Sequence, residues 1–287
     1  MTQVLCIPLS PVLADFPRNR AALIALAEAI AAAPVQPDVI VLPELALSGY
    51  LLESLSGEAA IRYEDFAELA EALAATGVQP ATEWIVSAPL RERHLVYNAA
   101  AVLAGGKVKH IHRKLFLPTY GMFDEARYFD RGTEFSVYDG KLGKTGILIC
   151  EDAWHPELAH LASVAGAESV IVISASPARG VDAGDEFSSS RHWRHRLQAF
   201  AEVYGQTYIY CNRAGVEDGV LYDAISFVYN SDAVAVSGDA FAAAEHARLY
   251  AVPTYASLRP GFAGDASRQG DARLIHDLLQ QMLLRQQ

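Results

Sequence analysis

A chain of 287 residues, 52% of them hydrophobic, is long enough to bury one large core, and a single domain is expected over residues 1–287. The net charge of -11 and pI near 5.3 argue against a nucleic-acid partner, because gripping phosphates needs a basic face. Cys6, Cys150 and Cys211 lie far apart with no CxxC spacing, so neither a disulfide framework nor a zinc site is suggested. The first residues, Met1-Thr-Gln-Val-Leu-Cys-Ile-Pro, carry no basic segment and no small-residue cleavage site. No apolar run approaches the roughly 18 residues of a membrane span. A cytoplasmic protein in a reducing compartment is the expectation.

Val4 to Leu9 reads as a first strand, and Arg18 to Ala32 as an alanine-rich helix with Leu23, Ile24, Leu26, Ala27 and Ile30 at helical spacing. Pro34 and Pro37 close that helix. Val39 to Leu42 is a second, buried strand, and it runs into Pro43-Glu44-Leu45, which sets a carboxylate just past a strand end. Tyr63 to Ala75 is a helix with Phe66, Leu69, Ala70 and Leu73 as its apolar stripe. Trp84 to Pro89, Val96 to Leu103 and Lys107 to Ile111 are strand-like, with Ala104-Gly105-Gly106-Lys107 as a hairpin turn.

The regular pattern then breaks. The stretch from His112 through Lys114, Tyr120 and Glu125 to Phe129 is rich in aromatics and charge without steady periodicity, as loops that line sites often are. Phe135 to Tyr138 and Thr145 to Cys150 read as strands, Pro156 to Ala165 as a helix, Ser169 to Ser174 as a strand and Phe187 to Tyr204 as a longer helix. Strands follow at Tyr208 to Asn212, Ile225 to Asn230, Ala233 to Ser237 and Leu249 to Pro253, with a turn at Asn230-Ser231-Asp232. Thr254 to Arg268 is the loosest stretch, and Ala272 to Leu284 an amphipathic terminal helix. This β-α alternation indicates an α/β fold.

Three groups carry chemistry. Cys150 closes the mostly β-branched run Ile147 to Ile149 and is followed at once by Glu151 and Asp152. A thiol at a strand end suits a nucleophile, since the crevice of open α/β sheets lies beyond the carboxyl ends of the strands. The same residue suits a small buried hydrophobe, the commonest fate of a free cysteine. A nucleophilic thiol needs a base for its proton and a cation to favour its charge, and Glu44 and Lys114 are the residue types that supply them. Lysine and the backbone N–H after the nucleophile, here that of Glu151, would hold an oxyanion.

Leu42-Pro-Glu44-Leu, Arg113-Lys114-Leu and Leu148-Ile-Cys150-Glu-Asp resemble, in order and separation, the three signatures of the nitrilase (carbon-nitrogen hydrolase) superfamily. Asn212-Arg213-Ala-Gly215-Val-Glu217-Asp-Gly219 is similar to a further landmark of that family. The resemblance covers most of the chain and implies a four-layer αββα sandwich. It implies a triad of Glu44 as general base, Lys114 as oxyanion stabiliser and Cys150 as nucleophile, with Glu125 as a second glutamate beside Lys114. The loop from Lys114 to Phe129 particularly resembles the glutaminase domain of glutamine-dependent NAD synthetases. There a tyrosine and an aromatic four residues past the cysteine line the glutamine pocket, positions held here by Tyr120 and Trp154, with Glu151 as a further pocket candidate.

What the resemblance implies about function follows from these matches: hydrolysis of a small amide with release of ammonia, no metal or organic cofactor, and association of copies through helical faces. Those synthetases continue into an ATP-binding domain and this chain ends at Gln287. Two expectations result, a free-standing amidase and a glutaminase subunit that hands ammonia to a separate NAD synthetase. A non-catalytic interaction protein is disfavoured because the whole triad is present. The isochorismatase-like fold also uses a lysine and a cysteine, but pairs them with an N-terminal aspartate. Among decoys, Gly143-Lys144-Thr145 lacks the earlier glycine of a phosphate loop. His110, His112, His192 and His195 read as ordinary surface or loop histidines. The basic run Arg191 to Arg196 has three readings, a solvated face, a substrate-carboxylate contact or an interface.

Overall fold

The computed structural model describes residues 1–180, 186–253 and the backbone of 266–284, with side chains for 273–282 of that last segment. Fifteen strands are described. They are β1 (Thr2–Cys6), β2 (Val39–Val41), β3 (Glu83–Glu92), β4 (Leu95–Ala104), β5 (Lys107–Arg113), β6 (Tyr138–Gly140), β7 (Gly143–Ile149) and β8 (Ser169–Ser174), then β9 (Thr207–Asn212), β10 (Ala214–Glu217), β11 (Val220–Asp223), β12 (Ser226–Tyr229), β13 (Ala235–Val236), β14 (Gly238–Ala240) and β15 (Arg248–Val252). The helices are α1 (Phe16–Ala31), α2 (Tyr63–Ala74), the single turn α3 (Glu125–Tyr128), α4 (Pro156–Val164), α5 (Ser188–Tyr204) and α6 (Ala266–Leu284).

Two sheets form the middle of the molecule. The first has the order β14-β15-β1-β2-β3-β4-β5 and the second β13-β12-β9-β8-β7-β6. The centres of both are parallel, β1-β2-β3 in one and β7-β8-β9 in the other, and antiparallel strands extend their edges. Strand alternation decides the layering. Val4, Cys6, Val39, Val41, Ile85 and Val102 point into the core shared with Ile147, Ile171, Ile209 and Cys211 of the second sheet. Their neighbours Leu5, Ile7, Ile40, Val86 and Leu103 point the other way, onto Leu23, Ala27 and Ile30 of α1 and Phe66, Leu69 and Leu73 of α2. On the far side, Leu158 of α4 and Trp193, Leu197 and Ala201 of α5 cover the second sheet. The result is the four-layer αββα sandwich.

Several elements depart from the sequence reading. β1 stops at Cys6 and not Leu9, since Pro8 has no N–H to give a ladder. Phe135 and Val137 pack near Gly146 and Ala162 of α4 without a strand partner, and the strand begins only at Tyr138. Ala233 to Ser237 shrinks to the two residues of β13. The ribbon β10-β11 has no counterpart among the expected strands, although Asp218-Gly219, both at positive φ, is a strong hairpin signal. The Gly105-Gly106 turn, with φ of +58° and +70°, is present where expected. α6 begins six residues before Ala272, and all its described side chains are exposed. Residues 254–265, most of the stretch read as loosest, lie outside the described residues.

Candidate active site

Glu44, Lys114 and Cys150 all stand just past strand ends. Glu44 follows β2, Lys114 is the first residue after β5, and Cys150 the first after β7. Cys150 has a φ of +46° and Leu45, after Glu44, a φ of +51°. For residues with a Cβ such backbone costs on the order of 1–3 kcal/mol and persists only where surroundings over-determine it. It turns the thiol sharply off the strand.

The structure brings Glu44, Lys114 and Glu125 into direct contact. Lys114 Nζ donates to Glu44 Oε1 at 2.7 Å and to Glu125 Oε1 at 2.7 Å, with all three side chains buried. Asn98 Nδ2 donates to Glu44 Oε1 at 2.8 Å and the Ala175 N–H to Glu44 Oε2 at 2.9 Å. Tyr50 OH donates to Glu125 Oε1 at 2.5 Å. The lysine backbone is clamped as well, its N–H donating to Asn98 O at 2.8 Å and its carbonyl accepting from Gly132 at 2.8 Å. One cation therefore sits between two carboxylates in a dry pocket, where charge-assisted bonds are strong.

Electrostatics follow from that arrangement. Burial alone would drive the Lys114 proton off, but Glu125 and then Glu44 outweigh it and hold its pKa well above the usual lysine range. Burial, assisted by Glu44, pushes Glu125 up to about 7, against the opposing pull of Lys114 and of the Tyr50 hydrogen bond. The Cys150 thiol is raised well above its ordinary value, by burial first and Glu44 second, although Lys114 and the Ser174 hydroxyl, which donates to Sγ at 3.1 Å, act the other way. Together these influences favour the thiol over the thiolate.

Several residues that hold this cluster were invisible as such in the sequence. Asp152, seen there only as half of an acidic pair, is fully buried. Its Oδ1 accepts from the N–H groups of Leu115 and Phe116 at 2.9 and 2.8 Å, and its Oδ2 from Ile149 N–H at 3.1 Å, with His112 Nε2 also 3.1 Å away. It thus joins the backbone after Lys114 to the backbone before Cys150. His112, read as an ordinary surface or loop histidine, is buried because Asp152 faces it. Glu217 accepts from the N–H groups of Tyr50 and Leu51 at 2.9 and 2.7 Å and pairs with Arg213 at 2.5 Å. The Arg213–Glu217 landmark thereby fixes the loop that follows Glu44. Asn98 and Tyr50 had no sequence signal at all.

The three pocket candidates form a separate group. Tyr120 OH donates to Glu151 Oε2 at 2.6 Å, and both Tyr120 and Trp154 are exposed. Trp154 meets Trp193 edge-on at 5.3 Å. It is a surface residue of the second sheet's helical side, not a core aromatic.

Comparison with known proteins gives the family. The family model described as carbon-nitrogen hydrolase matches residues 4–245. The glutamine-dependent NAD(+) synthetase of Xanthomonas campestris pv. campestris is 35% identical over 201 residues, which are 69% of this chain and 34% of that protein. A glutamine-dependent NAD+ synthetase structure from Acinetobacter baumannii superposes with a TM-score of 0.70 at 26% identity, covering 82% of this chain and 43% of the other. An amidase from the nitrilase superfamily of Nesterenkonia AN1 shares the fold, with a TM-score of 0.70 at 20% identity over 90% of this chain and 94% of its own. The chain spans about a third of the length of the curated relatives it matches. By a family match that runs through both sheets and all three strand-end residues, the chain belongs to the carbon-nitrogen hydrolase family and is an enzyme of that family.

Proposed function

We propose that the chain is a thiol-dependent amide hydrolase that acts through Glu44, Lys114 and Cys150, with Glu125 in support. The observation that carries this reading is the buried Lys114 ammonium bonded at 2.7 Å to both Glu44 and Glu125 beside the strained, thiol-bearing turn at Cys150. Because burial keeps the sulfur protonated, its proton passes to Glu44 as the carbon-sulfur bond forms. Lys114 and the Glu151 N–H hold the oxyanion of the tetrahedral intermediate. Collapse breaks the carbon-nitrogen bond, the proton on Glu44 goes to the leaving nitrogen, and ammonia departs from a Cys150 thioester. Glu44 then takes a proton from water, which attacks the thioester and releases the acid and the thiol. Glu125 and Tyr50 hold Lys114 in register through both halves. Tyr120, Glu151 and Trp154 form the edge of the acyl pocket.

Glutamine is the first substrate to test, because the Xanthomonas and Acinetobacter relatives are glutamine-dependent NAD+ synthetases. A second reading is a glutaminase subunit that passes ammonia to a separate NAD synthetase, suggested by the similarity to glutamine-dependent NAD(+) synthetases. In either case we infer one catalytic domain over residues 1–287, a cytoplasmic enzyme, and association of copies through the helical layers. The test is ammonia release from a panel of amides and nitriles, including glutamine and asparagine, with Cys150→Ala as the blank. The expected result is loss of at least about 10⁴-fold in that variant with circular dichroism unchanged. Undiminished turnover by Cys150→Ala would sink the reading. Turnover of glutamine only after a synthetase is added separates the subunit from the free-standing enzyme.

A further inference from the structure

α5 carries Arg191, His192, Arg194, His195 and Arg196 in a protein of net charge -11. Arg194 is accounted for: its Nε donates to Glu186 at 2.7 Å and its guanidinium lies 4.7 Å from the Phe227 ring centroid. Arg196 differs. Its guanidinium carbon lies 3.3 Å from the centroid of the Trp154 ring, its Nη1 is buried without a hydrogen-bond partner, and it forms no ion pair among the described residues. Burial weakens its hold on its proton, while Glu151 and Tyr120 are near enough to act in the opposite sense. Glu151 is nevertheless engaged elsewhere, with Tyr120 OH at 2.6 Å on one oxygen and His155 at 3.5 Å from the other. A groove of about 410 Å³ opens beside the stack, lined by Trp154, Arg196, His192, His195 and Phe200.

A half-buried guanidinium without a counter-ion is costly. Stacking on indole offsets part of that cost and fixes the plane of the group, yet it uses none of the in-plane donors. Such a fork matches a planar carboxylate. Trp154, which fixes the fork, ends the 3₁₀ turn that begins at Cys150, and a rise of roughly 2 Å per residue puts about 8 Å between them. That backbone separation is on the scale of a four- to five-carbon amide, and Glu151, next to Cys150, is near enough to act on the Arg196 charge.

We propose that Arg196 is a specificity-determining residue, whose Trp154-stacked guanidinium receives a carboxylate at the end of the substrate away from the scissile amide. The hydrolase therefore selects acidic amides over neutral ones. This rests on the reading of Cys150 as the hydrolytic nucleophile.

The test uses a matched pair of amides, glutaramate and pentanamide, which differ in the distal carboxylate. Wild-type enzyme is expected to favour glutaramate, and Arg196→Ala to raise its KM about 10- to 100-fold while pentanamide turnover stays within about twofold. Arg196→Lys restores part of the preference, because it returns the charge without the fork. In the non-hydrolysing Cys150→Ala protein, glutaramate quenches Trp154 fluorescence saturably, and Cys150→Ala with Arg196→Ala does not. Equal loss on both amides, an unchanged preference in Arg196→Ala, or a wild type indifferent to the carboxylate overturns the proposal. Wild-type turnover of pentanamide keeps the hydrolase reading standing whichever way Arg196 falls.

Discussion

Glu44 and Glu83 lie at opposite ends of the same pair of parallel strands, Glu44 past the end of β2 and Glu83 at the start of β3, where it pairs with Val39. Both are buried. At the Glu44 end every carboxylate oxygen of that residue is bonded, and a single ammonium serves two carboxylates. At the Glu83 end, one oxygen accepts from the Lys141 N–H at 3.0 Å and the other has no partner. The Tyr138 hydroxyl and His110 Nε2, stacked rings with centroids 5.3 Å apart, are likewise unpartnered. Burial raises the Glu83 carboxyl above its usual range, with Lys141 in partial opposition, and pushes His110 down to about 4. The two ends differ in that Glu44 shares its dry surroundings with a buried ammonium and Glu83 does not. Without one, Glu83 is held towards its neutral form.

The comparison breaks most sharply at Lys114. Lys114→Met leaves Glu44 and Glu125 facing each other in a dry pocket, so a stability loss of about 3–5 kcal/mol is expected, together with ammonia release at background. Urea melts of the variant at pH 5 and pH 8 check the cause, because protonation of the carboxylates at low pH should recover part of the loss.

A smaller effect is expected at Glu125, held at about 7. Below that pH it carries a proton and its ion pair with Lys114 weakens, so kcat/KM should rise with an acid limb near pH 7. Glu125→Gln should lower kcat about 10- to 100-fold and remove that limb. The stability sign is opposite to the activity sign. A carboxyl whose pKa is raised on folding binds more protons in the folded state between its ordinary value and about 7, so its contribution to stability falls as pH climbs through that window. A limb of the same position and steepness in Glu125→Gln would assign it to another group.

The smallest effect belongs to the other end. Glu83→Gln keeps an acceptor for the Lys141 N–H and removes a carboxyl whose ionisation burial disfavours. Turnover should stay within about twofold, and stability at pH 8 should be equal or up to about 1 kcal/mol higher. A large loss of activity would mean that the two ends are coupled.

Much of the site could be read from strand ends. β2 and β7 are short β-branched runs, and the residue that follows such a run emerges at the edge of the sheet, so Glu44 and Cys150 were legible as a pair once Lys114 stood beyond β5. Asp152 was not, because its role is to accept backbone donors of residues 115 and 116, and nothing in the sequence tells which backbone an acid will meet. Asn98 lies within β4, where its neighbours Ala99 to Val102 signal only burial. Trp154 stays partly exposed, with Arg196 covering one ring face, a contact between residues more than 40 apart in the chain.

Sequence by itself determined the alternation that sorts Val4 and Cys6 from Leu5 and Ile7, the hairpin at Gly105-Gly106, and the family signatures around Glu44, Lys114 and Cys150, because each depends on residues close in the chain. Only the tertiary structure decided that one ammonium bridges two glutamates, that Asp152 ties two strand ends together, and that Arg196 stacks on Trp154 with its donors unspent. The physical reason is desolvation. The energy of a charge depends on which groups share its dry surroundings, and those groups are gathered from distant parts of the chain.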